Sequence, residues 1–158
     1  MNALGAILAL TATQTAALSC LPPDPARAFQ AASEAPSAYV VLLGQFAFDA
    51  ADLPPSTSQS ERVVNPDPVT AHFVGNGLTL DGFTSPQNRD IALEVTCAGS
   101  WCGTLQPDTT VMAFARKDGE NYTVELEACS GWVFPEPTEE TLKQVVGCLR
   151  GNACDPAL

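Results

Sequence analysis

The chain has 158 residues, of which 18 are acidic and 7 are basic, and its formal net charge at pH 7 is −11. Nucleic acids and anionic membrane surfaces are bound through clusters of Lys and Arg, so this charge argues against both as partners. The length suffices for one domain with a modest hydrophobic core.

The first 19 residues carry no charged side chain and contain an apolar run at residues 4–10. An apolar core of this length followed by small residues predicts a secretory signal segment over 1–19, because it is too short to span a membrane. Ala17 and Ser19 fit the small-x-small cleavage rule, which would leave Cys20 as the first residue. Small residues before a cysteine also suit lipid attachment at Cys20, and this second interpretation stays open. We therefore expect a secreted, periplasmic or extracellular protein, with membrane contact only through such an anchor.

A short helix is predicted at residues 26–34. Asp24 and Pro25 form an N-cap and first-turn pair before it, and Pro36 follows its end. A second helix is predicted to begin after the N-cap Thr138 and to end at Gly151. Its apolar residues recur at helical spacing: Leu142, Val145, Val146 and Leu149.

Three strands are predicted before residue 98, over residues 38–48, over residues 69–80, and through Ile91, Leu93 and Val95 to Cys97. Gly44 predicts a bulge or a sharp bend in the first strand, and residues 75–77 predict a kink or turn in the second. The segments 51–68 and 81–87 are predicted loops because turn-forming residues dominate them.

A β-hairpin over residues 111–135 supplies strands four and five. Asp118 and Gly119 predict a two-residue type I′ turn, which needs positive φ at both positions. Five short strands and two flanking helices predict an all-β fold, a small five-stranded OB-fold-like barrel stapled by disulfides. A β-sandwich is the alternative.

The six cysteines of an exported chain predict three disulfides, for which fifteen connectivities are possible. A structural zinc site is the rival explanation, and it needs closely paired Cys and His ligands. Only Cys97 and Cys102 approach that spacing, and the single His72 lies far from them in sequence. We therefore predict disulfides, with no bound metal and no cofactor.

Residues 20–29, CLPPDPARAF, resemble the N-terminal ridge of the tissue inhibitors of metalloproteinases, in the wider netrin-like module family. Cys102-Gly103 is similar to the family's mid-chain Cys-Gly, and residues 114–129 resemble its last hairpin. Cys148 follows the final helix, where the family places another cysteine. The resemblance implies an OB-barrel with flanking helices for a single domain over 20–158.

The N-terminus departs from the family pattern at two positions. Family inhibitors open with Cys-x-Cys, and Cys20 matches the second of these cysteines while Leu18 stands at the first. Gln30 stands where a further cysteine follows the Ala-Phe pair. Two N-terminal cysteines of the pattern are therefore missing.

These departures bear on the disulfides that the resemblance implies. Cys102 and Cys148 lack their family partners, and the chain has Cys97 and Cys154 beside them, which the family pattern does not contain. The resemblance implies one retained bridge and two local replacements: Cys20–Cys129, Cys97–Cys102 and Cys148–Cys154.

Two functions follow from the resemblance. The first is an exported OB-like binding module with a protein partner. The alternative is a metalloproteinase inhibitor, in which the Cys20 amine and carbonyl chelate the protease zinc and Leu21 and Pro22 complete the inhibitory edge. An enzyme is not expected, because a hydrolytic triad needs a base near a nucleophile and His72 is the only histidine. Trp101 and Trp132 are expected to pack against the disulfides as part of the core.

Overall fold

A computed structural model describes residues 19–55 and 66–157, so the predicted signal segment lies outside the described residues except for Ser19. The fold is mostly β, with two short helices. The elements are α1 (Pro25–Glu34), β1 (Ala38–Ala47), a 3-10 turn (Ala50–Asp52), β2 (Val69–Thr79), β3 (Gly82–Val95), β4 (Cys97–Ala98), β5 (Trp101–Cys102), β6 (Val111–Asp118), β7 (Asn121–Leu126), β8 (Val133–Pro135) and α2 (Glu139–Leu149).

Five strands close into a barrel in the order β1-β2-β3-β7-β6, with β6 pairing back to β1. The β3–β7 pair is parallel and the other four pairs are antiparallel. Strand β1 closes the barrel because its first part pairs with β6 up to Gly44, while its later part, from Leu42 onward, pairs with β2. The predicted five-stranded, OB-fold-like barrel is confirmed.

The barrel interior is apolar. Alternate residues of each strand point inward, as the two-residue period of a strand requires, and among the described residues no polar or charged residue is buried. The outward-facing Val41 and Phe114 pack instead against α1 and α2, through Ala28 and Val145. The inward-facing set includes Leu42, Phe46, Phe73, Ile91, Leu93, Val95, Val124 and Leu126.

Of the bulge or sharp bend predicted at Gly44, the bulge does not form, because the β1–β2 register is continuous through the pair Gly44–Gly75. The two strands approach so closely here that a Cβ on Gly44 would lie 2.7 Å from the Gly75 Cα and would clash with the Val74 carbonyl oxygen. Of the kink or turn predicted at residues 75–77, the turn does not form, since β2 runs through all three residues. The strand is irregular directly after them, where the β2–β3 register shifts between Gly77 and Leu78.

The segment 81–87, predicted as a loop, belongs mostly to β3. Strand β2 ends at Thr79, Gly82 has φ +104°, and β3 pairs with β2 from Gly82 onward. The polar composition and Pro86 suggested a loop. Pro86 is tolerated because β7 pairs with β3 only from Ala92, which leaves this part of β3 with one neighbouring strand.

The hairpin between β6 and β7 is confirmed, but its turn is shifted by one residue. Asp118 pairs with Asn121, so Gly119 and Glu120 are the central residues. Of these, only Gly119 has positive φ, at +59°, as a type II′ turn requires. The predicted type I′ turn at Asp118-Gly119 is therefore wrong.

Both predicted helices form with their expected caps. The Asp24 side chain accepts a hydrogen bond from the Arg27 N–H, and the Thr138 side chain accepts one from the Thr141 N–H. Neither helix reaches the length and hydropathy needed to cross a membrane within the described ranges.

Three disulfides join Cys20 to Cys129, Cys97 to Cys102 and Cys148 to Cys154, which is the pairing that the resemblance implied. Disulfides persist in oxidising compartments, so this pattern is compatible with an extracellular protein. The first bridge spans 109 residues of sequence and the others span 5 and 6.

Candidate functional site

The segment Cys20, Leu21 and Pro22, called the Cys20 edge below, projects from the barrel surface before α1. All three residues are exposed, and the Leu21 side chain stands out at 73% exposure. Pro22 and Pro23 fix their own φ angles and favour extended backbone at the residue before each of them. The sequence itself therefore holds the edge extended.

A disulfide holds the N-terminal end of the Cys20 edge. Cys20 is bonded to Cys129, with 5.4 Å between the two Cα atoms, and Cys129 lies three residues beyond the end of β7. The edge is thus attached to the hairpin whose strands form part of the barrel wall.

Asp24 holds the other end of the edge by two hydrogen bonds. One carboxylate oxygen accepts from the Arg27 N–H at 2.8 Å and caps α1, while the other accepts from the Ala157 N–H at 2.8 Å. Partial burial alone would raise the pKa of Asp24, but these backbone hydrogen bonds and the Arg27 charge outweigh it, and the pKa lies below its ordinary value. The C-terminal tail is further held by Gln30, whose amide donates to the Cys154 carbonyl at 2.7 Å.

A cleft of about 400 Å³ lies between the Cys20 edge, the first turns of α1 and the segment that follows β7. Trp132 lines it and stacks on Tyr39 with 5.0 Å between the ring centroids, while also packing against Phe114. Trp132 thus packs into the fold through aromatic neighbours, whereas the expectation was packing against a disulfide. Trp101 does not, since it lies on the small β4–β5 hairpin and is 40% exposed.

Glu127 is a third ionisable residue of this cleft, beside Asp24 and Arg27. It lies one residue beyond β7, half-buried, and burial together with the nearby charge of Glu125 raises the pKa of its carboxyl. Glu125 itself is paired with Arg116 at 3.0 Å, and Arg116 also contacts Glu94. Because Glu125 and Glu127 alternate in sequence with the buried Val124 and Leu126, the period of the strand alone places both carboxylates on the outer face and gives no signal for the partial burial of Glu127.

The single histidine lies away from the Cys20 edge on the outer surface of the β2–β3 pair. His72 Nδ1 and Asp90 Oδ1 are 2.8 Å apart, and both side chains are exposed. In the part of the chain that the structure describes, no three Cys, His, Asp or Glu side chains converge as a metal site.

The Cys20 edge and its cleft therefore combine an exposed aliphatic side chain, a half-buried carboxyl and an aromatic wall. Such an arrangement can seat a segment of another protein. Comparison of the chain with protein-family models, curated proteins and solved structures gives no match.

Proposed function

We propose that the protein is an exported binding module that presents the Cys20 edge to a protein partner. The observation that carries the proposal is the 73% exposure of Leu21 on a segment held at both ends, by the Cys20–Cys129 bridge and by the Asp24 cap. Ordering a flexible segment on binding costs free energy, so an apolar side chain on an already ordered segment binds more tightly. Leu21 is the anchor, and the adjoining cleft receives part of the partner.

A binding function is supported over an enzymatic one by the surroundings of His72. A general base must lie within hydrogen-bonding reach of the nucleophile that it activates. Among the described residues, the side chain that His72 contacts in this way is the carboxylate of Asp90. A carboxylate orients a histidine, but it supplies no Ser, Thr or Cys nucleophile.

The resemblance to the tissue inhibitors of metalloproteinases supports export and a second, narrower function. Cys20 is exposed and its disulfide fixes it beside the cleft, so a chain beginning at Cys20 would carry its amine and carbonyl on a rigid edge. That amine and carbonyl would chelate the zinc of a metalloproteinase. This candidate requires an unmodified amine at Cys20, whereas the general binding module does not.

Mass spectrometry of the protein from its native host separates the two candidates. A free N-terminal Cys20 bridged to Cys129 supports inhibition, and acetylation of that amine should then abolish inhibition of zinc metalloproteinases. A diacylglycerol thioether at Cys20 would occupy the Sγ that bonds Cys129, so finding it would exclude chelation and would also contradict the bridge that holds the Cys20 edge. An N-terminus well upstream of Cys20 also excludes chelation.

Site-specific photo-crosslinking tests the binding edge itself. A photoreactive amino acid is placed at Leu21, and in a matched control at Leu80, which is also apolar and is 62% exposed. We expect the Leu21 position to give a discrete crosslinked protein in the native host, and an excess of unlabelled protein to suppress it. Leu21→Ser competitor should suppress it at least tenfold less effectively than Leu80→Ser competitor. Equal crosslinking from both positions, or equal competition by both variants, contradicts the proposal.

A further inference from the structure

A second cavity, of about 180 Å³, opens at the end of the barrel interior. It lies where the inward-facing row of β3, formed by Val95, Leu93 and Ile91, continues into Arg89 and Gln87. Residues from β1, β2 and β7 complete its wall, and we call it the barrel mouth. It has no lining residue in common with the cleft at the Cys20 edge.

The barrel mouth contains a guanidinium group with unused hydrogen-bonding capacity. The Arg89 Cζ lies 4.2 Å from the ring centroid of Tyr122, an inward-facing residue at the start of β7. The Arg89 Nε is buried and has no hydrogen-bond partner among the described residues. A buried donor without an acceptor is costly, and such groups are rare in folded proteins. An added acceptor at this position would remove that cost.

A second cation lies at the rim of the barrel mouth. The Lys117 Nζ is 5.9 Å from the same Tyr122 ring. Within the described ranges, neither Lys117 nor Arg89 has a carboxylate within 4.0 Å. The other cations there are engaged: Arg116 and Lys143 with carboxylates, Arg27 and Arg150 with backbone carbonyls.

The charge pattern around the barrel mouth therefore differs from that of the whole chain. The net charge is −11, yet two uncompensated positive charges converge on one aromatic ring. A guanidinium binds a carboxylate through two parallel hydrogen bonds, and such bonds are stronger in a partly desolvated site. The ligand that complements this position is an anion with a planar pair of oxygens.

The rest of the wall limits the ligand's size and polarity. Val40 and Leu42 supply apolar surface, and Ser85 and Gln87 supply a hydroxyl and an amide. A volume of 180 Å³ corresponds to about six water molecules at liquid density. We propose that the barrel mouth binds a carboxylate on a short aliphatic stem, with Arg89 as its principal partner. The source is either a free short-chain acid or the side chain of a glutamate from a protein.

The test titrates butyrate into the isotopically labelled protein and follows amide chemical shifts by NMR. Butyramide has the same shape but no charge, so it is the matched ligand control. This comparison uses the unmutated protein. A blocked tripeptide with a central glutamate distinguishes the protein source, and its glutamine analogue is the control. We expect butyrate to shift the amide signals of residues 85, 87–89 and 122, with an affinity at least tenfold above that of butyramide.

Variants assign the binding to Arg89. Arg89→Gln should weaken butyrate binding at least tenfold, and Lys117→Gln, an exposed change at the rim, about threefold. Arg116→Gln removes a neighbouring positive charge from the outer face of β6 and should leave the affinity unchanged.

Perturbation by the glutamate peptide alone assigns the ligand to a protein and still supports the proposal. Equal shifts from butyrate and butyramide, or shifts confined to other residues, overturn it. Failure of all four ligands to shift signals of the barrel mouth also overturns the proposal, whatever the photo-crosslinking experiment at Leu21 shows.

Discussion

The Cys20 edge and the barrel mouth are built in opposite ways. The edge is a contiguous segment that lies outside the barrel and is held by one covalent bond and one cap. The mouth is assembled from strands far apart in sequence, and its side chains are positioned by the barrel walls themselves. The edge presents an apolar side chain outward, whereas the mouth turns cationic groups inward.

This contrast has a practical consequence. A change that loosens the edge should leave the barrel walls in place, whereas a change in a wall should alter the mouth first. A substitution at the Cys20 edge should therefore change stability without changing ligand binding at the barrel mouth. The following substitutions test whether the two regions are independent in this way.

The largest effect is expected from removing the long disulfide in Cys20→Ala/Cys129→Ala. A bridge closing a loop of this length stabilises the protein by about 5 kcal/mol in the chain-entropy model. Urea unfolding should show a loss of this order, while butyrate still binds the folded fraction at the barrel mouth. The short bridge Cys148–Cys154 provides the control, with about 2 kcal/mol. Equal losses from both double variants would contradict the prediction.

Gly75→Ala should disturb the barrel wall rather than the edge. Its Cβ would lie 2.6 Å from the Gly44 Cα, and Gly75 pairs with Gln87 of the barrel mouth. We expect the free energy of unfolding to fall by about 1–3 kcal/mol, as for other overpacked sites. Gly77→Ala, where the nearest atom is 3.6 Å away, is the control for β2. A Gly75→Ala protein as stable as Gly77→Ala would show that the close approach has no energetic weight.

A smaller effect is expected at Asp24, which holds one end of the Cys20 edge. Asp24→Ala removes the cap of α1 and should cost about 1 kcal/mol. Because the folded-state pKa of Asp24 lies below its ordinary value of 3.8, its charge stabilises the fold above that pH, and the stabilisation is lost as pH falls through the folded-state pKa. Asp24→Asn keeps a capping oxygen but should lose this pH dependence, which thermal unfolding at pH 2.5–7 measures.

Glu127→Gln should change the free energy of unfolding in the opposite direction from Asp24→Ala. The folded state raises the pKa of Glu127, so ionisation of this carboxyl lowers stability as pH rises from its ordinary pKa of 4.5 through the folded-state pKa. The variant should therefore be slightly more stable than the parent protein at neutral pH and equally stable at low pH. A variant that is less stable at neutral pH would show that the carboxylate has a favourable contact.

The edge was predictable from sequence because its signals are local. Asp24 and Pro25 adjoin the helix that they begin, and the motif around Cys20 is contiguous. The barrel mouth left no such signal, since Arg89 follows a polar stretch that resembles a loop and Tyr122 lies 33 residues later. Only the strand register brings the two together.

The β6–β7 turn and Gly44 show the same limit of prediction from sequence, because each depends on how the strands pair. Asp118-Gly119 correctly indicated a hairpin, but the register of β6 and β7, in which Asp118 pairs with Asn121, places the turn at Gly119 and Glu120. Gly44 predicted a bulge or a bend in β1. The reason for a glycine there, the close approach of Gly75 on β2, is visible only once the strands are paired.

The Cys20–Cys129 bond makes a covalent ring that contains all five barrel strands. A protease that cuts one peptide bond anywhere inside this ring opens it but releases no fragment, because the two pieces stay joined through sulfur. The nicked protein would keep its mass apart from one added water, and it would separate into two chains only on reduction. A protease would thus release a fragment of the barrel only after a second cut inside the ring or after the loss of this bond.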